Sequence, residues 1–165
     1  MLPSALSEPA AAIAERLRAR GESLAVAESA TGGLIAAALV AVPGASAYFV
    51  GGVVVYTRDG ARDILAGGPP FPGEDRSCTE PFATWLAACA AARMRADWGV
   101  GETGASGPAH NPYGDAPGLG WAAVHRRGGD ATAARRITTG SDDRADNMER
   151  FAVNALGLLR ETLAA

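Results

Sequence analysis

The segment L-A-V-A-E-S-A-T-G-G-L-I-A-A-A-L, residues 24–39, joins a predicted strand to a predicted helix. Its first four residues are small and apolar, which is typical of a strand buried in a parallel sheet. Its last six residues place apolar side chains at helical spacing. The polar turn between them gathers backbone N–H groups at the start of a helix, and open α/β sheets bind ligands at such turns. The segment therefore predicts a ligand site with Ser29 at its centre.

The hydroxyl side chains of this turn also have a purely structural interpretation. A Ser or Thr that precedes an apolar helix usually caps it by accepting a backbone N–H. Thr31 stands directly before Gly32, Gly33 and Leu34, so Thr31 is the predicted cap. Ser29 lies one residue beyond what capping requires, which leaves its hydroxyl available for chemistry. The turn is neither a Walker loop, since no G-K-[ST] follows, nor a G-x-G-x-x-G motif.

The composition excludes several classes of function. At 165 residues the chain fits one domain, residues 1–165, which can bury a core without metals or disulfides. The formal net charge of −3 argues against a nucleic-acid binder that relies on a basic field. No apolar run approaches the roughly 20 residues of a membrane span. No secretory signal is visible near the N-terminus, so we expect a cytoplasmic protein.

The basic and metal-ligating residues narrow the chemistry further. All 15 basic residues are arginine, so no lysine can act as a general base or as a Schiff-base amine. The two cysteines, Cys78 and Cys89, match no metal-binding spacing and are interpreted as structural thiols. Besides them the chain has only two histidines, His110 and His125, so we expect neither a metal site nor a cofactor.

Segments with helical spacing alternate with β-branched segments along the chain. The predicted helices cover residues 9–20, 34–42 and 61–65, a long segment that Thr79 opens, and residues 145–163; the predicted strands cover residues 24–27, 45–56, 98–101, 120–126 and 131–139. Gly51 and Gly52 indicate a bulge or a close backbone approach. Residues 67–75 and 102–108 are predicted to form loops, and residues 128–130 join an antiparallel pair. The order predicts an α/β protein, a three-layer α/β/α domain with a mixed, mainly parallel sheet.

Five motifs resemble one known family in their order and spacing. They are A-E-S-A-T-G-G (27–33), V-P-G-A-S-A-Y-F (42–49), G-G-V-V-V-Y (51–56), T-G-A-S-G-P (103–108) and G-S-D-D-R (140–144). Over residues 9–163 the chain resembles the CinA C-terminal domain, the competence/damage-inducible family whose active members are nicotinamide-nucleotide amidases. The resemblance implies a serine amidohydrolase that converts nicotinamide mononucleotide (NMN) to nicotinate mononucleotide and ammonia. It also implies a homo-oligomer whose partner is a small-molecule nucleotide, while the composition predicts neither nucleic acid nor membrane as a partner.

The resemblance also implies roles for individual residues. Ser29 would be the nucleophile, and Tyr56, at the end of the second strand, would be a further catalytic residue. Arg144 opens the last helix and would bind an anionic phosphate. The substrate-binding residues implied by the matching motifs are Thr31, Gly32, Gly33, Thr103, Gly104 and Arg144. The turn after Ser29 would supply backbone N–H groups to an oxyanion. The residues expected to line one cavity at the strand ends, within roughly 10 Å, are Ser29, Tyr56, Thr103 and Arg144.

The chain departs from the family at the general base. The family's base is a lysine five residues beyond the tyrosine, a position that Ala61 occupies here and that Arg62 follows. A guanidinium stays protonated and cannot accept the serine proton. His110 is the best substitute base. Glu28 adjoins Ser29 in sequence, but successive residues of a strand point to opposite faces.

Three functions remain open at this point. The first is an amidase of this family that uses a different base. The second is a non-catalytic relative that binds a nucleotide. The third is a hydrolase of another amide or ester, which the long loop G-P-A-H-N-P-Y-G-D-A-P-G at residues 107–118 favours.

Overall fold

Helices and strands alternate along the part of the chain that the computed structural model describes, which is residues 2–71, 76–129 and 132–165. The helices are α1 (Ser4–Arg20), α2 (Leu34–Val40), α3 (Arg58–Ile64), α4 (Glu80–Met94) and α5 (Arg144–Thr162). The strands are β1 (Leu24–Glu28), β2 (Phe49–Val54), β3 (Trp98–Gly104), β4 (Leu119–Arg126) and β5 (Thr132–Thr138).

One sheet contains these strands in the order β2-β1-β3-β4-β5. β1 pairs in parallel with β2 and with β3, whereas the β3–β4 and β4–β5 pairs are antiparallel. The carboxyl ends of β1, β2 and β3 therefore lie at the same edge, where open α/β sheets hold their ligands. The residues that follow Glu28, Val54 and Gly104 come together along this edge.

Helices cover both faces of the sheet. α1, α2 and α5 pack on one face around Val26, Val100 and Val124. α3 and α4 pack on the opposite face against Ala25 and Ala27. The predicted α/β fold with three layers and a mixed sheet is therefore confirmed.

α4 lies directly on the backbone of β3, because two glycines remove the side chains that would separate them. A Cβ on Gly99 would lie 1.9 Å from the carbonyl oxygen of Ala87, and one on Gly101 would lie 2.1 Å from that of Ala83. Real Cβ atoms do not approach other atoms so closely, so these positions of β3 accept only glycine. The contact holds the first turn of α4, with Phe82, beside the carboxyl end of β3.

The second strand is shorter than predicted. Residues 45–47 form a 3-10 turn, and β2 begins only at Phe49. Tyr48 between them is buried, and its hydroxyl donates to the carbonyl oxygen of Leu39 at 2.5 Å. This bond fixes the end of α2 to the start of β2 and keeps the preceding residues out of the sheet.

A bulge interrupts β2 next to the pair of glycines. Leu24 pairs with Phe49 and Ala25 pairs with Gly51, so Val50 is an extra residue on the β2 side. An extra residue of this kind bends a strand and increases its twist. The predicted bulge is confirmed.

α1 begins earlier than predicted. It starts at Ser4 and not at Pro9, because Leu6 is buried in the core and extends the apolar face of the helix. Pro9 therefore lies inside the helix, where its missing N–H removes one hydrogen bond close to the amino end. Burial of Leu6 and of Pro9 itself offsets this loss.

α3 also begins earlier than predicted, at Arg58 and not at Ala61. The Thr57 hydroxyl accepts the N–H of Gly60 at 3.0 Å and so caps the helix. A threonine cap of this kind fixes the helix start. Ala61 consequently lies in the second turn of α3, where it is buried.

β3 is longer than predicted. Residues 102–104, which the sequence predicts to be a loop, pair with residues 120–122 of β4. Antiparallel pairing with β4 extends β3 beyond its parallel contact with β1, which ends at Gly101. Of the loops predicted at residues 67–75 and 128–130, residues 72–75 and 130 lie outside the described residues.

Candidate active site

Two adjoining cavities lie at the carboxyl ends of the parallel strands. The first has a volume of about 340 Å³, and its walls include Ser29, Tyr56 and Thr103; we call it the Ser29 cavity. The second has a volume of about 290 Å³, and its walls include Tyr56, Gly104 and Arg144; we call it the Arg144 cavity. Tyr56 and Gly104 line both. The structure therefore brings three of the four expected residues into one cavity and places Arg144 in the next.

Ser29 is the first residue after β1 and is half-buried. Its backbone N–H donates to Oε2 of Glu102 at 3.1 Å, which fixes the direction in which the residue leaves the strand. The hydroxyl of Ser29 makes no hydrogen bond to any residue that the structure describes. Among the described residues, therefore, no side-chain base is hydrogen-bonded to the Ser29 hydroxyl.

Glu28 caps α2 in place of Thr31. Oε2 of Glu28 accepts the N–H groups of Gly33 at 3.0 Å and Ile35 at 3.1 Å, and Oε1 accepts that of Ala36 at 2.7 Å. No side chain caps α2 from the position that precedes it, so the predicted Thr31 cap is wrong. The two oxygens of a carboxylate satisfy several N–H groups that one hydroxyl could not.

Thr31 is completely buried between two carboxyl groups. Its Oγ1 lies 2.6 Å from Oε2 of Glu28 and 2.7 Å from Oε2 of Glu102. The N–H of Thr31 donates to the same Glu102 oxygen at 2.9 Å. Burial raises the pKa of Glu102 to about 7; the charge of Glu28 adds to this rise, and the hydrogen bonds from Thr31 and Ser29 oppose it. Thr31 thus supports the turn from below and lines neither cavity.

Gly32 and Gly33 form the turn into α2 and line neither cavity. Their φ angles are +63° and +104°, a region of backbone conformation that favours glycine. They let the chain reverse between Thr31 and the start of α2. Their predicted role in substrate binding stays a prediction.

Most N–H groups of this turn already have partners. The acceptors are Glu102 for the N–H groups of Ser29 and Thr31, Glu28 for that of Gly33, and the Ser29 carbonyl for that of Gly32. The expectation that the turn after Ser29 supplies backbone N–H groups to an oxyanion stays a prediction, with few of those groups left without an acceptor. Among residues 29–33, only the N–H of Ala30 lacks an acceptor within the described part of the chain.

Tyr56 and Arg144 form a pair where the two cavities meet. Arg144 donates one hydrogen bond to the Tyr56 hydroxyl and another, of 2.8 Å, to the carbonyl oxygen of Gly107. The guanidinium carbon lies 5.9 Å from the centre of the Tyr56 ring. Arg144 is the first residue of α5, whose amino end is capped by the Asp143 carboxylate. The pair places a positive charge beside Tyr56, which is 62% exposed.

Thr103 and Gly104 form the end of β3. The Thr103 hydroxyl accepts the N–H of Cys78 at 3.1 Å and donates no hydrogen bond to a described residue. Its proton is therefore available to a ligand in the Ser29 cavity. A Cβ on Gly104 would lie 2.5 Å from Cε2 of Phe151, so glycine lets α5 pack against this end of the strand.

Several residues that line the Ser29 cavity have no role in the function predicted from the sequence. They are Val55, Thr57, Arg58, Ser77, Phe82, Asn111, Pro112 and Tyr113. Asn111 organises the loop, because its side chain accepts the N–H groups of Tyr113 at 3.0 Å and Asp115 at 2.9 Å. Arg76 pairs with Asp115 and lies over the Tyr113 ring, which holds the loop against the segment before α4. The sequence does contain a signal for the loop residues of this set: the loop is long and carries polar and aromatic side chains.

Ala61, the position at which the resemblance implies a lysine base, lies beside the Ser29 cavity. Ala61 lines a third cavity, of about 440 Å³, which shares Arg58 and Phe82 with the Ser29 cavity. We call it the Ala61 cavity. The side chain of Arg62, the next residue, is 69% exposed and pairs with two aspartates of α3 at 2.9 and 3.0 Å.

His110, the expected substitute base, is exposed and lines the Arg144 cavity. It does not line the Ser29 cavity. Glu28 is also unavailable, because both of its oxygens bind the first turn of α2. The structure thus brings neither alternative base to the Ser29 hydroxyl.

Three further features of the described residues concern metal ligation, membrane-spanning helices and the two thiols. Within them, no group of three or more His, Cys, Asp or Glu residues could hold a metal ion. No helix of this part of the chain is long and apolar enough to cross a membrane. Cys78 and Cys89 are buried free thiols, and burial raises their pKa values to about 12 and about 11.

Known proteins of one family match this chain in sequence and in structure. A family model described as the CinA C-terminal domain matches residues 6–163. A CinA-like protein of Anaeromyxobacter sp. (strain Fw109-5) is 38% identical over 159 residues, which are 96% of this chain and 38% of that protein. The chain thus spans about two fifths of the length of that curated relative.

Two crystal structures show the same fold. One is the competence/damage inducible protein CihA from Agrobacterium tumefaciens, with a TM-score of 0.87, 30% identity and 98% of both chains covered. The other is a competence-damaged protein (CinA) superfamily protein from Enterobacter cloacae, with a TM-score of 0.85 and 28% identity. That match covers 96% of this chain and 92% of the other.

Proposed function

Because the chain belongs to the CinA C-terminal domain family, we propose that it is a serine amidohydrolase that converts NMN to nicotinate mononucleotide and ammonia. The observation that carries the proposal is that Ser29 shares one cavity with Tyr56 and Thr103 at the carboxyl edge of the sheet. A hydroxyl nucleophile, a second hydroxyl with an unused proton and a cationic neighbour suit an amide substrate with an anionic end.

The two cavities suit the two ends of such a ligand. The carboxamide lies in the Ser29 cavity, where the Thr103 hydroxyl can donate to its oxygen. The phosphate lies in the Arg144 cavity, because a guanidinium binds phosphate oxygens well and Arg144 has more N–H donors than its two bonds use. Tyr56 lines both cavities and stands between these two ends.

Hydrolysis of the carboxamide proceeds in two steps, formation of an ester on Ser29 and hydrolysis of that ester. Oγ of Ser29 forms an ester bond to the carboxamide carbon while the C–N bond breaks, and the serine proton passes to the departing nitrogen, which leaves as ammonia. Water then attacks the ester, releases the carboxylic acid and returns the proton to Ser29. The Thr103 hydroxyl, which lines the Ser29 cavity and donates to no described residue, can donate to the oxyanion between these states.

The missing base makes this reaction slow. A positioned general base typically contributes about 10²–10⁴-fold to the rate. The Ser29 hydroxyl has no such partner among the described residues, and Ala61 has no titratable side chain. We therefore expect turnover that is weak and depends on solvent for the proton transfer.

The same observation favours a second candidate function, a nucleotide-binding relative without turnover. Loss of the base removes proton transfer but leaves the residues that would hold the ligand, namely Thr103, Tyr56 and Arg144. A protein of this kind would bind NMN and release it unchanged. Binding alone then separates the second candidate from the first.

One experiment distinguishes the two functions. Purified protein is incubated with NMN, ammonia and nicotinate mononucleotide are measured, and binding of NMN to the same preparation is measured by calorimetry. Slow release of ammonia in equal amounts with the acid supports the amidohydrolase. Binding without release supports the second candidate. Absence of both binding and release contradicts both.

A further inference from the structure

The Ala61 cavity has a wall of three aromatic rings in mutual contact. The ring centre of Phe71 lies 5.7 Å from that of Phe82 and 5.5 Å from that of Trp85, with the ring planes inclined by 80° and 65°. The ring centres of Phe82 and Trp85 are also 5.5 Å apart. Nε1 of Trp85 donates to the carbonyl oxygen of Pro69 at 2.7 Å, which fixes the orientation of the indole. All four residues line the cavity, so its aromatic surface is held in place before a ligand binds.

Small residues form other parts of the wall and leave room for a ligand. Ala61 and residues 66–68, an alanine and two glycines, line the cavity, whose volume is about 440 Å³. An apolar cavity of about 150 Å³ is enough to hold benzene, so a substituted aromatic ring fits here. The charged residues among the described walls are Arg58, Asp59 and Arg62, all of which are exposed. This composition is typical of a pocket for an aromatic ring.

The three cavities are joined in a row, with the Ser29 cavity in the middle. The Ala61 cavity shares Arg58 and Phe82 with it, and the Arg144 cavity joins it at Tyr56. The two outer cavities have no described lining residue in common. A carbonyl group attacked by Ser29 has its acyl part on one side and its leaving group on the other. With the acyl part extended into the Arg144 cavity, as in the proposed function, the leaving group points towards the Ala61 cavity.

The leaving group of NMN makes no use of this pocket, because ammonia is small and has no aromatic surface. A phenol fits the aromatic wall and also suits Ser29, whose hydroxyl is hydrogen-bonded to no base among the described residues. An amide nitrogen must gain a proton before it leaves, whereas a phenol, with a pKa of about 10, can leave as an anion. Arg58 lines both cavities, and a positive charge there favours an anionic leaving group.

We propose that the Ala61 cavity binds the aromatic alcohol part of an ester and that Ser29 hydrolyses such esters of phenols. Oγ of Ser29 forms a bond to the acyl carbon, the bond between that carbon and the phenol oxygen breaks, and the serine proton passes to the phenol through water. A second water molecule then hydrolyses the ester on Ser29, releases the carboxylic acid and restores the serine hydroxyl. This activity rests on the proposed function in taking Ser29 as the nucleophile, but it does not require NMN to be a substrate.

Two activated acetate esters test the pocket. The leaving group of para-nitrophenyl acetate is aromatic, whereas that of trifluoroethyl acetate is small and has no ring. The acyl part is the same in both esters, so the ratio of their kcat/KM values reports on the leaving group. This ratio is compared between the wild type and variants of the pocket, because the comparison cancels the different intrinsic reactivities of the two esters.

Trp85→Leu removes one ring of the aromatic wall. We expect kcat/KM for para-nitrophenyl acetate to fall about tenfold, chiefly through KM, because contacts between aromatic rings contribute to binding. The value for trifluoroethyl acetate should change less than about twofold. Trp121→Leu is the matched control, since Trp121 is also half-buried but is not among the described residues that line the three cavities. Equal losses on both esters in Trp85→Leu would overturn the proposal.

Ala61→Leu narrows the cavity without removing a ring, so it tests the pocket even where Trp85→Leu does not fold. The ratio of aryl to alkyl ester hydrolysis should again fall, because the added side chain takes up space that the ring needs. Ser29→Ala should lose the hydrolysis of both esters above the background of the other nucleophiles of the chain. An unchanged ratio in Ala61→Leu, or release of para-nitrophenol by Ser29→Ala at the wild-type rate, would overturn the proposal.

Release of ammonia from NMN, measured on the same wild-type preparation, separates this activity from the proposed function. If NMN is not hydrolysed while the aryl ester is hydrolysed with the expected changes in ratio, the amidohydrolase fails and the aromatic pocket stands. If NMN is hydrolysed and the ratio of the two esters is the same in the wild type and in both pocket variants, the aromatic pocket fails and the amidohydrolase stands.

Discussion

Arg144 donates a hydrogen bond to the hydroxyl of Tyr56, 88 positions earlier in the chain. The bond joins the first residue of α5 to the segment that follows β2, at the boundary between the Ser29 cavity and the Arg144 cavity. It holds the guanidinium of Arg144, an exposed residue, beside the two cavities. A positive charge held in this way should select ligands with an anionic end.

Replacement of Arg144 by alanine should weaken binding of NMN and leave nicotinamide riboside, which lacks the phosphate, little changed. Loss of a charge-assisted hydrogen bond costs about 1–3 kcal/mol, or roughly 5- to 150-fold in affinity. Calorimetry with both ligands measures the difference. Arg150→Ala, which removes an exposed arginine from the same helix, is the control. Equal weakening of both ligands would mean that Arg144 supports the fold and not the phosphate.

Replacement of Ala61 by lysine should raise turnover. Ala61 lines a cavity that shares Arg58 and Phe82 with the Ser29 cavity, so the longer side chain would enter existing space. Burial lowers the pKa of a lysine, and the neutral amine can accept the serine proton. A gain on the order of 10²-fold in kcat is expected, with little change in KM.

The pH profile and a matched variant test the cause of that gain. The rate of Ala61→Lys should rise as pH passes the lowered pKa of the new amine. Ala61→Met adds a side chain of similar length without a base and should give no gain. If the two variants behave alike, the position of Ala61 does not supply a base to Ser29.

Replacement of Gly104 by alanine should destabilise the fold. The new Cβ would lie 2.5 Å from Cε2 of Phe151, so α5 or β3 must shift. Overpacking of this kind costs typically about 1–3 kcal/mol in the free energy of unfolding. Chemical denaturation measures it, with Gly129→Ala as the control, because the nearest atoms there are 3.7 Å away. A Gly104→Ala variant as stable as the wild type would show that this contact relaxes freely.

The fold and the centre of the site follow from patterns that the sequence displays directly. The small apolar residues before Ser29 predict a buried parallel strand. Ser29 directly follows this strand and is therefore predicted to lie at the carboxyl edge of the sheet. Tyr56 and Thr103 lie at neighbouring strand ends, so parallel pairing with β1 brings all three together. The three residues converge because each lies at the end of a strand and because these strands are parallel. The alternation of helical and β-branched segments in the sequence predicts both features.

The supporting residues could not be predicted in the same way. Glu102 lies in a segment predicted to be a loop, and its burial depends on pairing with β4. Local spacing predicts Thr31 as the cap of α2, but the Glu28 carboxylate accepts the N–H groups of the first turn instead. Asn111 and Tyr113 reach the Ser29 cavity through contacts with Arg76 and Asp115, which are distant in sequence from Ser29. Such long-range contacts leave no periodic pattern.

The most direct test of Ser29 as a nucleophile is the rate of ammonia release from NMN by the wild type, Ser29→Ala and Ser77→Ala. Ser77 lines the same cavity, so its variant controls for the loss of a hydroxyl there. We predict that Ser29→Ala abolishes release while NMN still binds, and that Ser77→Ala retains release. Release by Ser29→Ala at the wild-type rate would contradict the assignment of Ser29 as the nucleophile.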